Sequence, residues 1–154
     1  MHKLVLLLLI PFLFTACKKE ESPNPNDPAK NGEHFPGPKA SVLISKQWKL
    51  TDKVVVYSNG LPTEDFSNVP DCTKDNLISF TQNKKYTVDE AVDVCPGNSQ
   101  TTTFDWTTAN EEQTMIMNNK SWRLVSISNT SMVLQYTNSS QSLTVTTTET
   151  YTAQ

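Results

Sequence analysis

From Ala40 onward the chain is a succession of short runs rich in Val, Ile, Thr, Tyr and Trp. They recur about every ten residues between turn residues, the pattern of an all-β sandwich or barrel. Strands are expected over 48–57, 76–81, 85–89, 101–107, 113–117, 121–128, 132–138 and 142–151, which makes eight, with a helical turn over 40–46 before the first. Ser58-Asn59-Gly60, Gln82-Asn83-Lys84, Asn118-Asn119-Lys120 and Asn129-Thr130-Ser131 read as turns short enough to join antiparallel neighbours. An up-and-down meander follows.

Alternation then selects an interior. Trp48, Leu50, Val54 and Val56 share one parity, as do Ile78 and Phe80. Trp122, Leu124 or Val125, and Ile127 come next, followed by Met132, Leu134 and Tyr136, and then Leu143 and Val145. The threonine-dense last strand suits a pleated strand with one solvated face. The 114 residues of 41–154 are enough for one core and one domain.

The N-terminus addresses the chain. His2 and Lys3 give a weakly basic start, and Leu4 to Phe14 form an apolar run of secretory-signal length, too short to cross a bilayer. Cys17 follows directly after Leu13-Phe14-Thr15-Ala16, where a bacterial lipoprotein is cut and lipidated. Residues 1–16 are therefore expected to be a lipoprotein signal peptide. Several acyl chains on Cys17, at about 0.8 kcal/mol per buried methylene, would hold the protein at the membrane permanently. Residues 17–40 read as a flexible tether, because Pro, Asn and Gly dominate and almost nothing apolar is available to bury. Lys18 stands directly after the cysteine, where an aspartate tends to retain lipoproteins at the inner membrane, so the outer membrane is expected. The domain faces either the periplasm or the cell surface.

With Cys17 assigned to lipid, Cys72 and Cys95 remain as the possible pair in an oxidising compartment, and a disulfide between them is expected. Closing that loop is worth about 3.5 kcal/mol in the chain-entropy treatment. A redox or metal pair would want a CxxC spacing or histidine partners, and neither is present. His2 lies in the signal and His34 in the tether, so the folded domain contains no histidine. Serine–histidine and cysteine–histidine catalysis and a histidine metal site are thereby excluded. No carboxylate-pair or Ser-Lys motif stands in for them, so no enzymatic activity, catalytic residue or cofactor is expected. Without Lys3 the balance is 12 basic against 16 acidic side chains, which disfavours nucleic acid as a partner.

Several of these segments occur in a familiar order. Trp48-Lys49-Leu50 is followed by Asp71-Cys72-Thr73-Lys74-Asp75-Asn76-Leu77-Ile78-Ser79-Phe80, by Lys85-Tyr86-Thr87-Val88-Asp89-Glu90, by Cys95 and Trp106, and by Ser121-Trp122-Arg123-Leu124. That order resembles the lipocalin-like lipoproteins of Bacteroidetes-type bacteria over nearly the whole folded domain. The resemblance implies a small eight-stranded lipocalin-like barrel, outer-membrane attachment and, from the wider lipocalin group, an apolar ligand. Lipocalins usually carry Gly-x-Trp on the first strand; here the sequence is Lys46-Gln47-Trp48, and the single arginine, Arg123, stands on the sixth expected strand rather than the last.

Aromatic and adaptable side chains nominate the ligand wall: Trp48, Phe80, Trp106, Met115, Met117, Trp122 and Tyr136. The same residues suit a packed core, since an eight-stranded barrel is just wide enough for side chains to fill. Asp71, Asp75, Asp89, Glu90 and Asp93 lack calcium-loop spacing and read as a solvated acidic edge. Two functions stay open: an anchored barrel that holds a small apolar molecule, or a non-enzymatic module whose loops meet a protein or glycan.

Overall fold

A computed structural model describes residues 37–154; the signal, Cys17 and most of the tether lie outside the described residues. Eight strands close into one antiparallel barrel in which each pairs with the next in sequence and β8 returns to β1. They are β1 (Gln47–Tyr57), β2 (Leu77–Phe80), β3 (Lys85–Asp89), β4 (Thr101–Ala109), β5 (Thr114–Met117), β6 (Lys120–Ile127), β7 (Ser131–Ser139) and β8 (Thr144–Ala153). Closure gives each of these strands a partner on both sides, although β1 meets β2 only over Gln47–Lys49. A helix, α1 (Pro38–Ile44), precedes β1, and a second short one, α2 (Asp71–Lys74), lies in the long β1–β2 connection.

The core gathers where alternation places bulk. Trp48, Phe80, Trp106, Met115, Met132 and Leu134 are all buried, and the Phe80 and Trp106 rings meet edge-on at 5.1 Å between centroids. Register orients β8: Thr147, Glu149 and Tyr151 lie opposite Tyr136, Leu134 and Met132 on the inward side, and Thr146, Thr148, Thr150 and Thr152 alternate with them. On the outward side Thr152 meets Thr51, and Gln135 donates to Thr148.

The first strand departs from simple alternation. Its pairing with β8 slips between Leu50 and Asp52, so Thr51 is an extra residue and the parity beyond it reverses. Val55 is buried in place of the expected Val54 and Val56, and Val56 is 49% exposed. The same slip turns Lys53 toward the interior. A second bulge lies between Leu124 and Ser126 on β6, where Leu124 is buried and Val125 is exposed.

Helix α1 plugs one end of the barrel with Ala40 and Leu43, both fully buried. Its orphan N-terminal amides are met from the β4–β5 turn, where the Glu112 carboxylate accepts from the Lys39 and Ala40 N–H groups at 2.9 and 3.2 Å. Asn110, Glu111 and Glu112 all hold positive φ, of 52°, 53° and 61°, in order to deliver that carboxylate. Gly37 is the residue that permits the approach, because a Cβ there would lie 2.5 Å from the Glu112 carboxyl carbon.

Candidate functional site

In an up-and-down barrel the β1–β2 and β3–β4 connections leave from the same end, opposite the plug formed by α1. Here both are long, and together they build a lid. Val55 and Glu64 exchange two backbone hydrogen bonds, at 2.8 and 3.1 Å, which fold the connection back against β1. Asp65 then caps a 3-10 turn over Phe66–Asn68, its carboxylate accepting from the Ser67 amide and hydroxyl. The Ser67 hydroxyl bond, followed by the Ser67 amide bond, lowers the Asp65 pKa below the ordinary carboxylate range. Val69 turns inward and is buried, and α2 follows.

Cys72 on α2 is disulfide-bonded to Cys95 in the β3–β4 connection, with 5.1 Å between Cα atoms. The acidic residues around it act as caps for the loops. Asp75 accepts the Val92 and Asp93 amides at 3.0 and 3.1 Å, and its pKa is lowered chiefly by the Asp93 amide. Glu90, 6% exposed, accepts from the Asn76 and Asn98 side chains and from the Cys95 amide. Asp71 pairs with Lys74 at 2.7 Å, and Asp89 accepts the Ala91 amide. The described residues contain no group of three or more His, Cys, Asp or Glu arranged to hold a metal ion.

Beneath the lid the barrel interior is open, with a pocket of about 400 Å³. Its walls are Leu50, Val55, Ile78 and Val88 from the strands and Val69 and Pro70 from the lid. Lys53, Glu149 and Tyr151 bring polar groups into it from β1 and β8. The Tyr151 hydroxyl donates to Glu149 Oε2 at 2.6 Å, and Lys53 Nζ stands 3.6 Å from Glu149 Oε1. Burial, and after it the Glu149 charge, raises the Tyr151 pKa well above its ordinary value, so the hydroxyl stays protonated as a donor. At the mouth the Tyr57 hydroxyl donates to Glu64 at 2.5 Å, and that bond raises the Tyr57 pKa.

The residues nominated from sequence lie elsewhere in the barrel. Trp48, Phe80, Trp106 and Met115 form the packed core, with Met117 and Trp122 against it, and Trp122 rests on Tyr136 at 5.4 Å. None of the seven lines the pocket under the lid; Trp106 borders a second hollow beside β4, with Phe104 and Ile116. Sequence reasoning missed Lys53 because the Thr51 bulge turns it inward. It also missed Glu149, although the parity of Val145 on the same strand points to it.

No known family profile matches this chain, and no curated protein matches it. Among the described residues no helix is long and apolar enough to cross a membrane.

Proposed function

We propose that this protein is an envelope lipoprotein, held at the outer membrane by lipid on Cys17, whose barrel binds a small and mostly apolar molecule beneath its lid. One observation carries the binding half. The pocket of about 400 Å³ falls within the roughly 300–1,000 Å³ range of ligand sites, in a barrel size that side chains alone can fill. It also has the composition of such a site, with aliphatic walls and a few convergent polar groups. Calorimetric titration of the purified protein with 1-octanol should give saturable one-site binding, about −5 kcal/mol or better. Val88→Phe, which takes up pocket volume, should weaken binding about tenfold while the protein still melts cooperatively. A flat titration would count against the pocket as a ligand site.

The anchoring half rests on the apolar run that ends at Cys17. Cys17→Ser should move the protein from the membrane fraction to the soluble envelope fraction, because the thiol is where lipid attaches. A variant that still sediments with membranes after a high-salt wash would show that lipid on Cys17 is not the anchor.

A second reading, a module that displays its loops to a protein or glycan, is favoured by one feature. Val92, 88% exposed, and Val94 present apolar side chains at the tip of the disulfide-bonded connection.

A further inference from the structure

The pocket's charges do not balance. Among the described residues that line it, Lys53 is the one cation, set against the carboxylates of Glu64, Asp65 and Glu149. A fourth carboxylate, Glu90, is bonded to Asn76 of the pocket wall, is 6% exposed, and forms no ion pair with a described lysine or arginine. Its three hydrogen-bond donors are all neutral, and among the lining residues three carboxylates stand against one ammonium, which gives the cleft a negative field. Walls of low polarizability concentrate such a field inside a cleft.

The lining also offers a particular acceptor. The Glu149 side chain is 14% exposed, and its Oε2 is occupied by the Tyr151 hydroxyl. Oε1 accepts no hydrogen bond from a described residue, and Lys53 lies 3.6 Å away, at ion-pair rather than hydrogen-bond distance. A donor head that entered between the aliphatic walls would find this oxygen free to accept. An anionic head would have to compete with Glu149 for Lys53 and face the remaining carboxylates.

We propose that the pocket selects small amphiphiles with a cationic, alkylammonium-type head over carboxylates of equal length, the tail lying along Leu50, Val55, Ile78 and Val88 and the head meeting Glu149. This rests on the reading of the pocket as a ligand site. The test is a calorimetric comparison of octylammonium, octanoate and 1-octanol against the purified full chain near neutral pH and at low salt. Octylammonium should bind about tenfold or more tightly than octanoate, with the gap narrowing as salt screens the charges. Glu149→Gln should weaken octylammonium about tenfold and leave 1-octanol nearly unchanged. Lys53→Met, which removes the one cation among the described lining residues, should widen the preference and supplies the answer if Glu149→Gln does not fold.

Octanoate binding as tightly as octylammonium, or equal affinity for all three probes, would overturn the head-group selectivity and leave the pocket standing as an apolar site. Failure of all three probes would remove the ligand-site reading, and this inference with it.

Discussion

Trp48→Ala should destabilise the barrel by about 3–5 kcal/mol, the range for removing a fully buried tryptophan. The side chain has no solvent exposure and stands where the plug helix meets the first strand. Its role is more than volume. The last carbonyls of a helix have no partner within it, and the Trp48 indole N–H donates to one of them, the Leu43 oxygen, at 3.1 Å. Helix α1 has seven residues, far fewer than a helix needs to persist alone in water, so it depends on contacts of this kind.

Trp48→Phe separates the two contributions. It keeps most of the ring and leaves the Leu43 carbonyl buried without its donor, at a cost of about 1–3 kcal/mol. Urea midpoints should therefore fall in the order wild type, Trp48→Phe, Trp48→Ala, and amide exchange in α1 should rise in both variants. A Trp48→Phe midpoint equal to wild type would show that the indole bond contributes no net stability.

The strands were legible because β-branched and aromatic runs alternate with turn residues, and the expected 85–89 coincides with Lys85–Asp89. A helical turn ahead of β1 was legible as well, and the pairing of Cys72 with Cys95 followed from the count of cysteines. What escaped depends on single extra residues and on distance along the chain. Val54-Val55-Val56 carries no alternation of its own, so its facing had to be extended from Trp48 and Leu50, and the bulge at Thr51 reversed it. That reversal also placed Lys53 in the pocket.

The cap on α1 comes from Glu112, more than 70 residues away, on a turn whose left-handed residues are not the glycines that would have advertised it. The lid segment between β1 and β2 has no periodicity to read; its shape is set by the Val55–Glu64 bridge, the Asp65 cap and the disulfide. Aromatic residues pointed to a ligand wall, yet large rings pack best against one another. The space was left instead where Leu50, Val55, Ile78 and Val88 are too small to fill the barrel beneath the lid.

Replacing both Cys72 and Cys95 with serine should cost about 3.5 kcal/mol, because the open chain regains the entropy that the closed loop removes from the unfolded ensemble. For a domain of this size that lowers the melting temperature by about ten degrees or more. The loss should also be uneven in space. The disulfide joins α2, in one lid segment, to the β3–β4 connection, while the barrel strands close on one another without it. The amides of Val92 and Asp93 are held by Asp75 from the other segment, so their bonds depend on the two segments staying together. Hydrogen exchange at these amides should accelerate beyond what the global destabilisation explains, whereas barrel amides should follow the global change alone. Val69, Pro70 and Thr73 line the pocket from the segment that the bond restrains, so 1-octanol binding should weaken in the same variant at a temperature where the barrel remains folded. Uniform acceleration across lid and barrel, with binding unchanged, would show that the disulfide stabilises the fold as a whole and does not hold the lid over the pocket.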